Sequence, residues 1–403
     1  MNGVDGFDGV DGVDGVDGFR GSGVLGDPRG LERELTAAEP LLPGLALALD
    51  DALLRAWARG HGVPLPGTAR VDRLRCKPGT SVRAAVDPGD GGPWWLLSAY
   101  APRPGRQPHE PGKVDRDARA ARGDGPTALD GALRAALVPA VADRDLPGLR
   151  PLAAAGARTL AHNPARRAVL RCGAELVKVH AAPGPAARAA VAAHLFRAAG
   201  TRTPRTVLRG ELTAVQEFTG GGPAGEVGAA LSALLGRWAQ HAGAGLPALG
   251  PAALDAAVRA VLHRPGPLPP AARTDVEACR RRWGAAVPRH RAALSPRVLC
   301  HGDLSPDQLL RAPDGELVVL DLDRAARGPA GWDAATWRAS CAALGRPPGA
   351  VPAAHPLLLA AAALLRLPEP FRRRRAGWPE RTAHLAALAA GALDELAPRG
   401  GRG

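Results

Sequence analysis

The stretch Val298–Trp337 reads VLCHGDLSPDQLLRAPDGELVVLDLDRAARGPAGWDAATW, and it decides the fold. An apolar run from Val298 delivers His301-Gly302-Asp303 into a loop, and a carboxamide, Gln308, follows five residues after Asp303. Asp314-Gly315 turns a hairpin. The next apolar run, Leu317–Leu320, ends at Asp321-Leu322-Asp323. Two carboxylates at adjacent loop tips with a carboxamide between them are what a metal–phosphate site requires. Mg2+ takes few hard oxygen ligands and leaves the rest to water and phosphate. A separate carboxylate stays free to orient a hydroxyl or receive its proton. Each Asp alone reads as an ordinary turn former; their joint spacing does not.

Composition narrows the alternatives. The chain has 403 residues and a formal charge of +13, which raises the question of a nucleic-acid partner. Its 52 basic residues include only three lysines, Lys77, Lys113 and Lys178; Ile is absent, and Asn occurs only at Asn2 and Asn163. Such a bias toward Ala, Arg, Gly and Pro follows GC-rich codon usage, so the charge carries little information and no nucleic-acid partner is expected. A lysine that persists against that bias marks a place where a compact ammonium is needed. The longest apolar run, Leu357–Leu365, covers about half of the ~20 residues that span a bilayer, and the N-terminus has no signal-peptide pattern. The expectation is a cytoplasmic protein with no membrane partner. The cysteines (Cys76, Cys172, Cys279, Cys300, Cys341) are scattered, which points to free thiols instead of a zinc site or a disulfide framework.

Along the chain, residues 1–30 form an apolar-Asp-Gly repeat that cannot bury a core and reads as a disordered tail. Residues 31–150 read as an accessory α/β region. It comprises a helical pattern over Leu31–Gly60, strands at Arg73–Cys76, Ser81–Val86 and Trp94–Tyr100, a polar linker over Arg103–Pro126, and helix near Leu129–Val141. Residues 151–224 repeat the pattern as a small β-rich lobe, with strands at Ala168–Cys172 and Glu175–His180, a helix at Ala186–Ala199, and strands at Arg205–Leu208 and Leu212–Phe218. KPGTSVRAAV set against NPARRAVLR, and WLLSAYAP against ELVKVHAAP, read as two copies of one hairpin unit, with Ser98 where the second copy has Lys178. Residues 225–403 are mainly helical and contain a short β-rich island at Val298–Leu322.

His-Gly-Asp-x4-Gln followed by Leu-Asp-Leu-Asp resembles the catalytic and metal loops of the aminoglycoside phosphotransferase and choline kinase superfamily, relatives of the protein kinases. The resemblance covers roughly Leu152–Trp337. It implies an α+β, bilobal, protein-kinase-like fold with a small β-rich N-lobe and a larger helical C-lobe, preceded here by the accessory region. It implies an ATP-dependent phosphotransferase with an alcohol group as acceptor, with ATP or another nucleoside triphosphate as co-substrate and Mg2+ as cofactor. The acceptor would be an aminoglycoside, amino alcohol, sugar or related metabolite. Asp303 would be the catalytic base, Asp321 and Gln308 the metal ligands, and Lys178 the lysine that reaches the nucleotide phosphates. Glu217 and Phe218 resemble the hinge whose backbone holds adenine. His301, Asp323 and Asp333 would support the loops, Asp333 by bracing the catalytic loop from the helix after it.

Three departures stand out. Gln308 replaces the usual Asn and offers the same oxygen on a longer arm. The helix after Lys178 contains no Asp or Glu to hold that lysine, so Glu211 or another residue substitutes or the lysine is held differently. No GxGxxG loop precedes Lys178; the available stretch is GARTLAHNPARR, with arginines where phosphates would pass. The rival reading is a catalytically impaired kinase-like module that binds a nucleotide or another ligand, and retention of both Asp303 and Asp321 counts against it. The Arg-rich C-terminus disfavours a polycationic acceptor.

Overall fold

The computed structural model describes residues 28–102, 112–217 and 221–397. Most of the Asp-Gly repeat, part of the expected linker and Phe218 lie outside the described residues.

The first unit opens with α1 (Pro28–Ala38), α2 (Leu45–Leu49) and α3 (Asp51–Gly60). The expected continuous helical pattern is broken into three, because Pro40 and Pro43 lack the N–H a helix interior needs. The Asp50 carboxylate starts α3 afresh by accepting from the N–H groups of Ala52 and Leu53. Then follow β1 (Arg70–Lys77), β2 (Ser81–Asp87), β3 (Trp95–Tyr100), α4 (Lys113–Ala120), β4 (Ala128–Asp130) and β5 (Ala135–Pro139). They form an antiparallel sheet of order β1-β2-β3-β5-β4. Two sequence-based expectations fail here. The polar linker contains α4, and the helix expected near Leu129–Val141 is β4 and β5. Its Ala-rich composition favours helix, but the buried inner edge of β3 needs a partner, and tertiary pairing overrides propensity. The turn between β4 and β5 is fixed by Asp130, whose carboxylate accepts the Leu133 N–H.

After α5 (Leu149–Ala154), the second sheet contains β6 (Arg158–Asn163), β7 (Arg167–Cys172), β8 (Glu175–His180), β9 (Thr206–Leu208) and β10 (Thr213–Glu217), with α6 (Pro185–Ala198) between β8 and β9. Its order is β6-β7-β8-β10-β9, the same permutation as the first sheet, with a helix inserted at the same point. Ser98 pairs with Arg83 in one sheet where Lys178 pairs with Val169 in the other.

The helical lobe contains β11 (Gly222–Pro223), α7 (Gly228–Trp238), α8 (Pro251–His263), α9 (Pro270–Arg289), β12 (Val298–Cys300), β13 (Leu309–Arg311), β14 (Leu317–Val319), β15 (Ala326–Gly328), α10 (Trp332–Leu344), α11 (Pro356–Arg366), α12 (Glu369–Arg372) and α13 (Trp378–Asp394). Its core gathers Val258, Trp283, Leu358, Leu364 and Leu385 from four helices. Among the described residues, no helix is long and apolar enough to cross a membrane.

The first unit is tied to both lobes. Phe371 and Trp378 of the helical lobe are buried in its core beside Leu54, Leu74 and Leu97. Burial of such side chains stabilises by roughly 1.5–3 kcal/mol each. Arg374 clamps the same seam by donating to the Glu32 carboxylate at 2.5 Å and the Leu49 carbonyl at 2.8 Å. On the other side β1 and β2 pack against β6.

Candidate active site

Both loops of the opening stretch meet in the cleft between the second sheet and the helical lobe. β12 pairs antiparallel with β15, which fixes where His301-Gly302-Asp303 emerges. Gly302 adopts φ +86°, and a Cβ there would lie 2.1 Å from the Arg324 carbonyl oxygen. Only glycine allows the two loops to approach this closely. The Asp333 carboxylate, in the first turn of α10, accepts the N–H groups of His301 at 2.7 Å and Gly302 at 2.9 Å. It is 4% exposed, and burial pushes its carboxyl above the ordinary range. The buried His301 ring lies with Nε2 2.7 Å from the Leu320 carbonyl, tying the catalytic loop to the end of β14.

Asp303 projects from this loop into a basic surround. Arg366, at the end of α11, donates to its Oδ1 at 2.7 Å, and Arg324 forms an ion pair with its Oδ2 at 3.1 Å. Asp321 has left-handed backbone dihedrals (φ 62°, ψ 49°) at the start of the turn that carries Asp323. Its Oδ1 accepts from Lys178 Nζ at 2.9 Å and from Arg167 Nη1 at 2.5 Å; its Oδ2 accepts from Arg167 Nη2 at 3.2 Å. Asp323 accepts from Lys178 at 3.4 Å and also from Arg167. Burial alone would raise the Asp321 carboxyl, but the charges of Lys178 and Arg167 outweigh it and hold the group well below the usual carboxylate range. Cross-strand pairing explains the convergence. Arg167 lies opposite His180 and Val169 opposite Lys178, so Arg167, Lys178 and His180 share one face of the sheet.

Lys178 is thus held without an acid from α6. Among the described residues its ion pairs run to Asp321 and Asp323 alone, and Arg188 of α6 instead donates to the Asp323 carbonyl at 3.3 Å. Glu211 is not among its partners.

Gln308 is buried, and its Oε1 accepts the Ser305 N–H at 3.0 Å, closing the catalytic loop on itself. That oxygen is engaged within its own turn, apart from the Asp321–Asp323 pair. Glu217 ends β10 with an exposed side chain and donates its N–H to the Arg205 carbonyl. Phe218 is outside the described residues.

Asp321 and Asp323 offer hard carboxylate oxygens close enough to share a single guanidinium nitrogen, a donor set suited to a divalent cation that also takes phosphate oxygens. Among the described residues no group of three or more His, Cys, Asp or Glu side chains forms a protein-only metal cage. The seat therefore fits an ion completed by a ligand, with Arg167 now lying in it.

Sequence reading put the arginines of GARTLAHNPARR where phosphates would pass without singling out Arg167, and it missed Arg324 and Arg366 as partners of Asp303 and a buried post behind the β6–β7 turn. Asp143 accepts from Arg83 at 2.8 Å, lies 3.1 Å from His162 Nε2, and accepts the N–H of Ala165, the turn residue at φ +56°. Strand alternation places Arg167 on the Lys178 face once β7 is paired with β8. Arg366 ends an otherwise apolar helix, a lone charge whose partner the sequence does not name.

A two-lobed architecture with the acidic Asp303 loop, the acidic Asp321–Asp323 turn and one sheet lysine meeting between the lobes is that of the kinase-like phosphotransferases. The family described as phosphotransferase enzymes matches residues 120–355, more than half of the chain, and the chain belongs to that family. Among solved structures it is similar to the choline kinase LicA from Streptococcus pneumoniae, at 13% identity over 59% of this chain and 93% of that one, with a TM-score of 0.43. It is similar to the macrolide 2'-phosphotransferase MphH from Brachybacterium faecium, at 20% identity over 63% and 98%, TM-score 0.34. A thermostable mutant of the aminoglycoside phosphotransferase APH(4)-Ia, in ternary complex with ADP and hygromycin B, aligns at 13% identity over 61% and 96%, TM-score 0.38. No curated protein matches the chain.

Proposed function

We propose that this chain transfers the γ-phosphate of a nucleoside triphosphate, ATP in the first instance, to a hydroxyl group of a small molecule. The observation that carries the reading is the meeting of Lys178 and Asp321 at 2.9 Å, across a cleft whose other loop presents Asp303. In this reading Lys178 and Arg167 hold the nucleotide phosphates, and Asp321 with Asp323 hold Mg2+. Bound there, the ion would neutralise charge on the transferring phosphoryl group. Lys178 and Arg167 are already aimed at those carboxylates, so arriving phosphates would share the two cations with Asp321 and Asp323. Asp303 accepts the proton of the acceptor hydroxyl as its oxygen bonds to the γ-phosphorus. The bond from that phosphorus to the bridging oxygen breaks, and a nucleoside diphosphate leaves. Asp333 and His301 act on the reaction through the position of Asp303, and Gln308 by closing the loop that carries it. Glu217 and Phe218 are assigned to the adenine hinge, and the acceptor class spans amino alcohols, sugars and related metabolites.

The test is a thermal-shift titration of the full chain with ATP and Mg2+, run beside Asp321→Asn and Asp303→Asn. A ligand that binds only the folded state stabilises by RT ln(1 + [L]/Kd). The expected result is a Mg2+-dependent rise that weakens in Asp321→Asn and persists in Asp303→Asn, which loses turnover instead. No rise at millimolar nucleotide would overturn the reading.

A further inference from the structure

The acceptor side of the cleft is crowded with arginine. Arg366 and Arg324 take the two oxygens of Asp303, and Arg373 lies between Asp307 at 3.0 Å and Glu369 at 3.1 Å. Around them stand three more guanidiniums: Arg73 from β1, Arg166 from the β6–β7 turn and Arg372 from α12. Among the described residues none of these three has a carboxylate of its own within ion-pair distance. Arg372 and Arg166 repel each other and Arg324, and Arg73 repels Arg373. Arg372 is held below the ordinary arginine range by burial and by the charges of Arg166 and Arg324, against Glu369. Arg73 is held down by burial and by Arg373, against Glu369 and Asp72, and Arg166 by burial, Arg75 and Arg324, against Glu369.

Codon bias explains why these cations are arginines and not lysines. It does not explain why six arginines (Arg73, Arg166, Arg324, Arg366, Arg372 and Arg373) converge from three separate units of the chain on the fewer carboxylates Asp72, Asp303, Asp307 and Glu369. Uncompensated like charges destabilise a fold and persist where a ligand of the opposite sign joins them. Arg presents paired donors suited to planar or tetrahedral oxyanions.

We propose that this cluster binds an oxyanion carried by the acceptor, so that the substrate class is a small-molecule alcohol bearing a phosphate ester or a carboxylate. This rests on the phosphotransferase reading above. An oxyanion drawn to Arg324 and Arg366 competes with Asp303 for both guanidiniums. Binding of the correct acceptor thereby releases Asp303 to take the hydroxyl proton, and an acceptor lacking the anion leaves it paired. Arg73 gives the first unit of the chain a direct part in acceptor choice.

The experiment uses the full chain loaded with AMP-PNP, so that the nucleotide site is filled. Inorganic phosphate and, separately, succinate are titrated while melting is followed, with glycerol as neutral control and NaCl at matched ionic strength. The comparison proteins are Arg73→Gln/Arg372→Gln and the exposed single variant Arg166→Gln, which breaks no ion pair. The expected result is a saturable rise with a Kd in the millimolar range, weakened at least tenfold in the double variant. Phosphate against succinate tells a phosphate ester from a carboxylate. A rise no larger than that with NaCl, or one equal in wild type and both variants, overturns the proposal. The AMP-PNP shift itself is read first: its absence sinks the phosphotransferase reading, while the phosphate titration still reports on the arginine cluster.

Discussion

Lys178 Nζ sits 2.9 Å from Asp321 Oδ1, and it makes this contact with no acidic residue on the helix that follows its strand. The lysine is 5% exposed and the Asp321 side chain 26% exposed, so the pair is partly removed from water. Breaking a buried pair by deleting one partner typically costs about 3–5 kcal/mol. Because Arg167 also serves Asp321, Lys178→Met is expected at the low end, about 3 kcal/mol by urea denaturation. Turnover should fall by roughly 10²–10³, the usual effect of removing one preorganised charge. Lys178→Arg should retain more stability than activity, since a planar fork cannot reproduce a point charge at this depth.

Gly302 and Gly315 form a matched pair. Their φ angles are +86° and +85°, but a Cβ on Gly302 meets the Arg324 carbonyl at 2.1 Å while one on Gly315 meets nothing within 4 Å. Gly315→Ala should cost about 1 kcal/mol, the conformational penalty alone. Gly302→Ala adds a backbone clash at the catalytic loop. It should lower stability by a further 1–3 kcal/mol or so and abolish activity. Equal midpoints for the two variants in urea would refute the close approach of the loops.

Asp333 accepts two N–H groups through two different oxygens. Asn presents one oxygen and turns an NH2 toward the second donor. Asp333→Asn is therefore expected to cost about 2–3 kcal/mol, the range for an unsatisfied buried group with a charge-assisted bond lost. Since Asp333 supports Asp303 only through the loop, kcat should fall while nucleotide affinity in the thermal-shift titration holds.

The two-lobed fold and the Asp303–Asp321 frame were legible because each rests on local signals. Gly302, the Asp314-Gly315 turn and the apolar runs fix that segment almost without help from the rest of the chain. What was not legible depends on distant pairing. The helix expected over Leu129–Val141 is a strand pair because β3 supplies an edge, a fact no local window contains. Lys178 was singled out by its rarity, yet its partners lie in Asp321 and Asp323, far along the chain. The carboxamide of Gln308 had the right spacing for a metal ligand, but the capping hydrogen bond to Ser305 decides where its oxygen points.

Asp143 joins the first unit to the turn that precedes Arg167. Its side chain is buried, and it gathers Arg83, His162 and the Ala165 N–H. Asp143→Ala leaves the His162 imidazole without its carboxylate partner and Arg83 with Asp145 alone, a loss at the low end of the buried-pair range, about 3 kcal/mol. Asp143→Asn keeps the volume and one acceptor and should lose less. Hydrogen exchange at Ala165 and Arg166 separates local from global effects: the turn amides should exchange faster in Asp143→Asn while core amides of α10 keep their protection.

Acid should unfold the protein in a defined way. Glu369 lies between Arg373 and other arginines; burial alone would raise its carboxyl, but those charges lower it from 4.5 to about 2. Asp143 and Asp321 are lowered as well, each against the opposing effect of burial. A carboxyl with a depressed folded-state pKa binds protons more readily in the unfolded chain. Its contribution is therefore complete above the ordinary carboxylate range and is lost as pH falls from about 4.5 toward 2. For Glu369 that contribution is about 3 kcal/mol. Urea midpoints measured from pH 7 to pH 3 should stay flat down to about pH 5 and then decline steeply. In Glu369→Gln the decline should be shallower, because one of the linked protons has been removed from the balance. An identical acid limb in that variant would show that the arginine cluster does not hold Glu369 ionised in the folded protein.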